Sequence, residues 1–387
     1  MRLAIIGVAP APYRDRLFER IASASDVELR VFYIHSRDSL RGWTAAPLSY
    51  PAEYVPCLTP EGYYHTPLLG AVNPSLPRLL SAFDPECLLI YGHSFMAQYA
   101  AVRWAVKRGV PYFLRCDSNN FNIVASRNGA PARWRGVKSW MIRKVTARAA
   151  GVLTIGQSNS RFWEHYGVPA GKRIFAPFSV DNEWFGQQAS LQRARRRELR
   201  RELELPEGRM LLFAGRFVAA KNLERLLNAW LGFDGTGLSL LLAGGGPLEA
   251  KLKQAVTGAG LRNVCFRSFQ AQAEMPKFYA AADGLILPSL FEPWGLVVNE
   301  AMASGLPVFV SERCGCAEDL VQAGANGLIF DPFDVGQIGE CLHAFAGFGD
   351  GDLERMGRRS REIIEPWSAG RAAASILEAA RGAAAVR

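Results

Sequence analysis

Residues 288–301 read PSLFEPWGLVVNEA. They follow a short apolar run, Gly284–Leu287, which reads as a buried strand. They lead into a helical pattern that begins at about Gly295 and runs to Ala303. Strand, loop and helix in that order form half of a βαβ unit. Glu292 falls in the loop and Glu300 about two turns into the helix. With 295–300 helical at 1.5 Å per residue, the two carboxylates lie on the order of 10 Å apart. Between them stand the N–H groups of Gly295, Leu296 and Val297, at a helix start where such groups have no intrahelical acceptor.

The same alternation extends outward through the chain. Met210–Ala214, Leu238–Ala243, Val264–Phe266, Val308–Val310 and Leu328–Phe330 read as further strands. Helical patterns separate them at Asn222–Leu231, Leu248–Val256 and Met275–Ala282. The first half repeats the scheme. Its strands are Leu3–Val8, Val27–Ile34, Cys87–Tyr91, Val110–Leu114 and Gly151–Ile155, with helices at Asp15–Ile21, Phe95–Val106 and Arg133–Ala149. Continuous apolar runs alternating with helices predict parallel sheets covered on both faces. The fold class is therefore α/β, two Rossmann-like doubly wound domains facing across a cleft. The expected boundaries are 1–187 for the first domain, 188–205 for an arginine- and glutamate-rich linker, and 206–365 for the second domain.

The 387 residues are enough for two domains, and 49% hydrophobic content supports a core in each. No uninterrupted apolar run approaches a membrane span, and the N-terminal apolar stretch reads as a first strand rather than a leader. Seven scattered cysteines do not make a disulfide framework, and they favour a reducing compartment. Cys314-Gly315-Cys316 reads as a loop feature, too tightly spaced for a zinc knuckle. Asp350-Gly351-Asp352 reads as a turn.

Three more segments stand at carboxyl ends of predicted strands, where open α/β sheets bind ligands. Gly215-Arg216 is followed by Lys221 near a helix start, which places two cations beside one loop. Gly244-Gly245-Gly246-Pro247 permits close backbone approach and begins a helix. Cys265-Phe266-Arg267-Ser268-Phe269 could offer backbone groups to a nucleobase edge. There is no GxGxxG with a ribose-binding acid about 20 residues on, and no GxxxxGK[ST] loop. Cations, a helix start and a carboxylate at each end fit a nucleotide sugar, with its ribose diol, diphosphate and sugar hydroxyls.

The formal net charge is +9. Between Arg103 and Arg148 stand eleven basic residues against one acid, Asp117, so this segment carries the whole excess. Such a field attracts anions. Within it, Trp134, Val137, Trp140, Met141 and Val145 fall at spacings of three and four, with Arg133, Arg135, Lys138, Arg143, Lys144 and Arg148 around the remaining arc. An apolar stripe carrying tryptophan and flanked by cations is the pattern of a helix lying on an anionic membrane surface. A helix packed on its own sheet, with the charges facing water, is the competing reading.

On these motifs the chain resembles retaining glycosyltransferases of glycosyltransferase family 4, with the GT-B fold. The residues that carry the likeness are Glu292-x7-Glu300 with Gly295-Leu296, Gly215-Arg216 with Lys221, Gly245-Gly246-Pro247, and Ala303-Ser304-Gly305-Leu306-Pro307-Val308. The resemblance implies that Arg216 and Lys221 bind the donor diphosphate, that Glu300 takes the ribose and that Glu292 takes the transferred sugar. It matches His93, after strand Cys87–Tyr91, to the histidine facing the reacting carbon. The catalytic set is then His93, Arg216, Lys221 and Glu292. The donor-binding set is Gly215, Gly245, Gly246, Arg267, Ser289, Glu292, Gly295, Leu296, Val297 and Glu300. Acceptor-side candidates are Pro12, Tyr13, Arg14, Arg115, Asp117 and Asn119. The loop Gly7–Arg14 departs from the paired glycines usual in the family. Asn222 stands where glycine is common, and Trp294 stands where phenylalanine is usual and would keep an aromatic wall. The resemblance also implies a C-terminal helix, about 366–387, that rejoins the first domain.

The expected function is retaining, metal-independent transfer of a hexose from a nucleotide-diphosphate sugar to a hydroxyl of a glycan or lipid-linked acceptor, in polysaccharide or glycoconjugate synthesis. A UDP-sugar is favoured and GDP-mannose comes next. No cofactor, no metal and no nucleic-acid partner are expected. The expected location is cytoplasmic, with peripheral attachment to the inner face of the membrane. A sugar-phosphorylase-like enzyme of the same fold, or a non-enzymatic basic nucleic-acid-binding protein, are the alternatives.

Overall fold

The computed structural model describes residues 1–36, 47–60, 63, 66, 68–121, 132–233 and 237–386, with the side chains of helix Ala132–Ala147 described from Gly136 onward. Arg127 and the side chains of Arg133, Trp134 and Arg135 lie outside the described residues.

The chain divides into two units, Met1–Phe178 with Ala369–Arg387, and Ser179–Ser368. The first holds a seven-stranded sheet. Its strands are β1 (Arg2–Gly7), β2 (Glu28–Tyr33), β3 (Ala52–Tyr54), β4 (Cys87–Tyr91), β5 (Tyr112–Arg115), β6 (Gly151–Thr154) and β7 (Arg173–Phe175). Their order is β3-β2-β1-β4-β5-β6-β7, and every described pairing is parallel. In register, Ile5 lies between Val31 and Leu89. All five residues of β4 are buried, as expected of a strand covered by helices on both faces. Leu76, Leu88, Ile90, Trp104 and Ile142 belong to one core; Leu3, Ile5, Phe18, Ile21 and Leu89 belong to the other.

The second unit holds six strands: β8 (Arg209–Ala214), β9 (Leu238–Ala243), β10 (Val264–Arg267), β11 (Gly284–Leu287), β12 (Val308–Ser311) and β13 (Gly327–Phe330). Their order is β10-β9-β8-β11-β12-β13, again parallel. Two parallel, doubly wound α/β units are thus present.

The C-terminal helix Ala369–Ala385 belongs to the first unit. Its Ala372, Ala373, Ile376 and Leu377 pack in the core with Leu17, Phe18 and Ile21, and Arg381 pairs with Asp26 at 2.7 Å. Trp367, just before it, stays in the second unit against Trp294, with ring centroids 5.1 Å apart.

Two segments differ from the sequence reading. Residues 188–205 are not a linker. Most lie in helices Asn182–Ala194 and Arg196–Glu202, which pack on helix Met275–Ala281. Arg196 and Arg200 reach the Ala281 carbonyl and Asp283 from there. Those arginines are spent on buried acceptors, so the charged composition that suggested a linker belongs to a docked helix. Asp350-Gly351-Asp352 is the first turn of helix Asp350–Ile364, not a free turn. Asp352 accepts from the Gly349 N–H at 2.9 Å, an acid at a helix start.

Candidate functional site

In the second unit the strand order reverses between β8 and β11, and the loops leaving their carboxyl ends flank that point. Open α/β sheets bind ligands at such a reversal. The backbone N–H of Leu290 donates to the Ala220 carbonyl at 2.8 Å, so the two loops are joined. Across the junction Lys221 Nζ donates to Glu292 Oε2 in a half-buried ion pair. Arg216 is exposed on the first of these loops.

The glycines follow from backbone packing. Phe217 N–H bonds to the Gly245 carbonyl at 2.8 Å, and Leu248 N–H to the Phe217 carbonyl at 3.1 Å. A Cβ at Gly244 would come within 1.8 Å of the Gly215 carbonyl oxygen. The close approach required of Gly244 is therefore to the neighbouring loop. Gly245 faces only a glutamate side chain, whereas a Cβ at Gly246, which is otherwise exposed, would come within 2.7 Å of the Phe217 carbonyl oxygen. Asn222 holds a φ of +59°, which explains why glycine suits this position and why asparagine is tolerated. Its side chain also donates to the Pro332 carbonyl at 2.8 Å.

Glu292 is clamped by its backbone. Its N–H bonds to the Arg313 carbonyl at 3.2 Å, and its carbonyl accepts from Gly315 at 3.0 Å. The N–H of Cys316 bonds to the Trp294 carbonyl at 3.1 Å. The Cys314-Gly315-Cys316 segment is thus the strap that holds the Glu292 loop. Both cysteines are free and buried, and burial pushes their thiols up. Gly295 precedes helix Leu296–Ala303 at φ +104°, and a Cβ there would crowd Leu287 at 3.1 Å, so the helix start requires glycine.

Glu300 lies on that helix. Its Oε2 accepts from the Tyr279 hydroxyl at 2.6 Å and its Oε1 from the Gln272 amide at 3.2 Å. Burial pushes its carboxyl up to about 7, with those two hydrogen bonds pulling the other way. Tyr279 and Gln272 were not among the sequence-derived candidates. Nothing in the periodicity of the helix around Met275 distinguishes a core tyrosine from one whose hydroxyl ends on a carboxylate.

Three donor-side expectations are corrected. Arg267 turns its guanidinium onto the Leu203, Glu204 and Phe266 carbonyls, where it fastens the end of helix Arg196–Glu202. Ser289 is fully buried, and its carbonyl accepts from Ser311 Oγ at 2.7 Å. Trp294 offers no open wall: it is buried against Trp367 and donates to Asn299 at 2.9 Å.

The first unit has its own reversal, between β1 and β4. Pro12 opens helix Pro12–Ala22 there. Arg14 donates to the Ala9 carbonyl at 3.1 Å and lies over the rings of Tyr13 and Tyr91, while Tyr13 meets Phe178 edge-on at 5.4 Å. Arg115, expected on the acceptor side, is buried and donates to the Ala176 and Pro177 carbonyls at 2.9 and 3.1 Å. Its charge fastens the start of the following connection. Asp117 is exposed and Asn119 fully buried. His93 is buried, stacked on Phe162 at 5.7 Å and edge-on to Trp163 at 6.0 Å. Burial, with Lys138 adding to it, pushes its imidazole down to about 4, so the ring is neutral near pH 7.

The apolar residues of the basic helix Ala132–Ala147 divide between two faces. Ile142 and Val145 are buried in the core, which corrects the stripe that included Val145. Val137 and Trp140 point outward, 45% and 59% exposed, and Lys144 lies over the Trp140 ring at 4.7 Å. No helix among the described residues is long and apolar enough to cross a membrane.

Residues 195–347, which carry all of these second-unit loops, match the family model of glycosyl transferases group 1. This stretch is similar to the glycosyl transferases of that group. The chain is also similar to an uncharacterised glycosyltransferase of Methanocaldococcus jannaschii, 34% identical over 31% of each chain. It is also similar to a GDP-mannose-dependent α-(1-6)-phosphatidylinositol dimannoside mannosyltransferase of Mycobacterium tuberculosis, 28% identical over 96% of this chain and 92% of that one. Among solved structures, Anabaena HepE in complex with UDP superposes with a TM-score of 0.74 at 17% identity, over 98% of this chain and 99% of that one. The fold is thus that of GT-B glycosyltransferases. The chain spans between 31% and 53% of the length of several curated relatives that it matches.

Proposed function

We propose that the protein is a hexosyltransferase that moves a sugar from a nucleoside-diphosphate donor to an acceptor hydroxyl, with retention and without a metal. The observation that carries this reading is the Lys221–Glu292 pair at the β8–β11 reversal, with exposed Arg216 on the same loop as Lys221 and Glu300 on the helix that follows Glu292. Cleavage of a sugar–diphosphate bond builds negative charge on the leaving phosphate. Arg216, Lys221 and the first N–H groups of helix Leu296–Ala303 supply fixed positive potential for it. A diphosphate that engages Lys221 frees the Glu292 carboxylate to accept hydroxyls of the transferred sugar. Glu300, already held by Tyr279 and Gln272, retains lone pairs for the ribose diol. Retention follows attack from the leaving-group face, where a donor phosphate oxygen takes the acceptor's proton.

UDP-hexose is the first donor proposed and GDP-mannose the second; a relative that uses GDP-mannose by name and a structural neighbour that holds UDP support testing both. We assign acceptor recognition to the first unit. Its exposed Val137 and Trp140 with surrounding lysine and arginine support a lipid-linked acceptor met at an anionic membrane surface. The test is a thermal-shift screen of nucleotide sugars, followed by turnover of the hit in excess EDTA. A ligand at 100 times its Kd stabilises by about 2.7 kcal/mol. A shift with a UDP- or GDP-sugar and EDTA-resistant turnover are expected. Loss of turnover in EDTA, restored by magnesium or manganese, refutes metal independence.

A further inference from the structure

A cavity of about 630 Å³ opens in the second unit, away from the carboxylates and cations that the sequence singled out for the donor. Gly208, Gly237, Asp283 and Pro307 line it, and each directly precedes a strand, β8, β9, β11 or β12. Because those strands are parallel, the cavity lies at their amino ends, opposite the carboxyl-end loops that hold Lys221 and Glu292. A six-residue strand separates the two edges by about 20 Å.

Arg193, Arg196 and Arg209 line the cavity together with Asp283, Asp350 and Glu354. Asp283 is occupied by Arg196 at 2.6 Å and Arg200 at 3.1 Å, and Asp350 by Arg209 at 3.0 Å. Arg209 also caps the Ala346 carbonyl at 3.0 Å. Arg193 is different. Its guanidinium donates to the Tyr279 carbonyl at 3.2 Å, while its enclosed Nε, like that of Arg196, has no hydrogen-bond acceptor. Burial, then repulsion from Arg196 and Arg361, pushes Arg193 down to about 10, and Asp283 and Glu354 offset this only in part. Enclosed guanidinium donors call for an anion with several acceptor oxygens, which a phosphate supplies in matching geometry. The rim carboxylates of Asp350 and Glu354 can accept hydroxyls. The volume exceeds that of a bare phosphate and suits a monosaccharide phosphate.

Tyr279 links this cavity to the other site. Its carbonyl accepts from Arg193, and its hydroxyl donates to Glu300 at 2.6 Å. Its helix packs on Asn182–Ala194, the helix that carries Arg193.

We propose that the cavity at the amino ends of β8, β9, β11 and β12 is an effector site for a sugar phosphate, coupled through Tyr279 to Glu300. The coupling rests on the donor reading of Glu300; the binding does not. The experiment is calorimetry of the full chain with glucose 6-phosphate, inorganic phosphate and glucose, each with and without the nucleoside diphosphate. Saturable binding of glucose 6-phosphate is expected, weakened at least tenfold by Arg193→Gln and unchanged by Lys221→Ala. A reciprocal change of several-fold between its affinity and that of the diphosphate is expected, and Tyr279→Phe should abolish that change while both ligands still bind. Absence of binding, indifference to Arg193→Gln, or loss with Lys221→Ala overturns the site. Equal binding of inorganic phosphate overturns the sugar component. Equal affinities with and without the diphosphate overturn the coupling alone. If no nucleoside diphosphate binds, the donor reading fails, and the glucose 6-phosphate titrations still decide the cavity.

Discussion

Lys221 and Glu292 meet as an ion pair although 71 residues and two strand ends separate them. Each is set by backbone geometry rather than by the partner alone: Lys221 by the turn at Asn222, Glu292 by the strap at 313–316. The pair holds both side chains at the reversal point before a ligand arrives. On the proposed donor reading, an incoming diphosphate would exchange one anionic partner of Lys221 for another, so the lysine would not need to be desolvated anew.

Arg216→Ala and Lys221→Ala should each lower turnover by about two orders of magnitude, corresponding to about 2–4 kcal/mol of transition-state stabilisation. Steady-state kinetics on folded variants measures it. Near-normal turnover in both removes the diphosphate assignment.

Gly244→Ala should destabilise the second unit by about 1–3 kcal/mol or more, because its Cβ would stand 1.8 Å from the Gly215 carbonyl oxygen. Gly339→Ala, within helix Val335–Gly347 and with nothing near its Cβ, should instead gain up to about 1 kcal/mol. Urea midpoints of the two variants compare them directly; equal midpoints would mean that the loops part easily.

Glu300 gives a pH signature. Its folded carboxyl is raised from 4.5 to about 7, so between those values the folded chain holds a proton that the unfolded chain has released. Its contribution to stability therefore falls as pH rises across that window. The ionised form is the better acceptor for a ribose diol. Nucleoside-diphosphate binding should tighten as pH rises through about 7, and Glu300→Gln should flatten that dependence. A variant that keeps the wild-type pH profile contradicts the ribose role.

His93 behaves in the opposite sense. Its folded pKa is lowered from 6.5 to about 4, so the unfolded state binds the proton first, and stability is lost as pH falls through that window. Melting temperatures from pH 7 down to pH 4.5 should fall less steeply in His93→Asn than in the wild type. Parallel curves would show that the ring is hydrated and free to protonate.

Trp140 and Val137 face outward on the basic helix, and the membrane proposal depends on them. The chain should sediment with anionic vesicles at low salt and be released as salt screens the charges. Trp140→Ala should weaken attachment without loss of fold. Failure to sediment at low salt refutes the surface role.

Most strands were legible because burial on both faces leaves unbroken apolar runs. Cys87–Tyr91 and Leu238–Ala243 have the bounds the pattern suggested. The three-residue edge strands Ala52–Tyr54 and Arg173–Phe175 were not, since they are only partly covered and carry no such run. Helix Arg196–Glu202 was hidden because its arginines imitate a solvated linker while Arg196 and Arg200 reach the buried Ala281 carbonyl. At the candidate site, Glu292, Glu300, Arg216 and Lys221 could be singled out in the sequence by charge beside glycine and proline. The Cys314–Cys316 strap and Tyr279 did not. The strap acts through backbone atoms, and the tyrosine passes for core until its hydroxyl is located. Arg115 and Arg267 misled in the converse way: a cation at a strand end can serve carbonyls as readily as a ligand.

The most direct measurement of the central claim is calorimetric titration of UDP and of GDP into the wild type and into Lys221→Ala. The account predicts saturable one-to-one binding of one nucleoside diphosphate to the wild type, weakened at least tenfold in the variant. Failure of both to bind, or equal affinity in the two proteins, would contradict it.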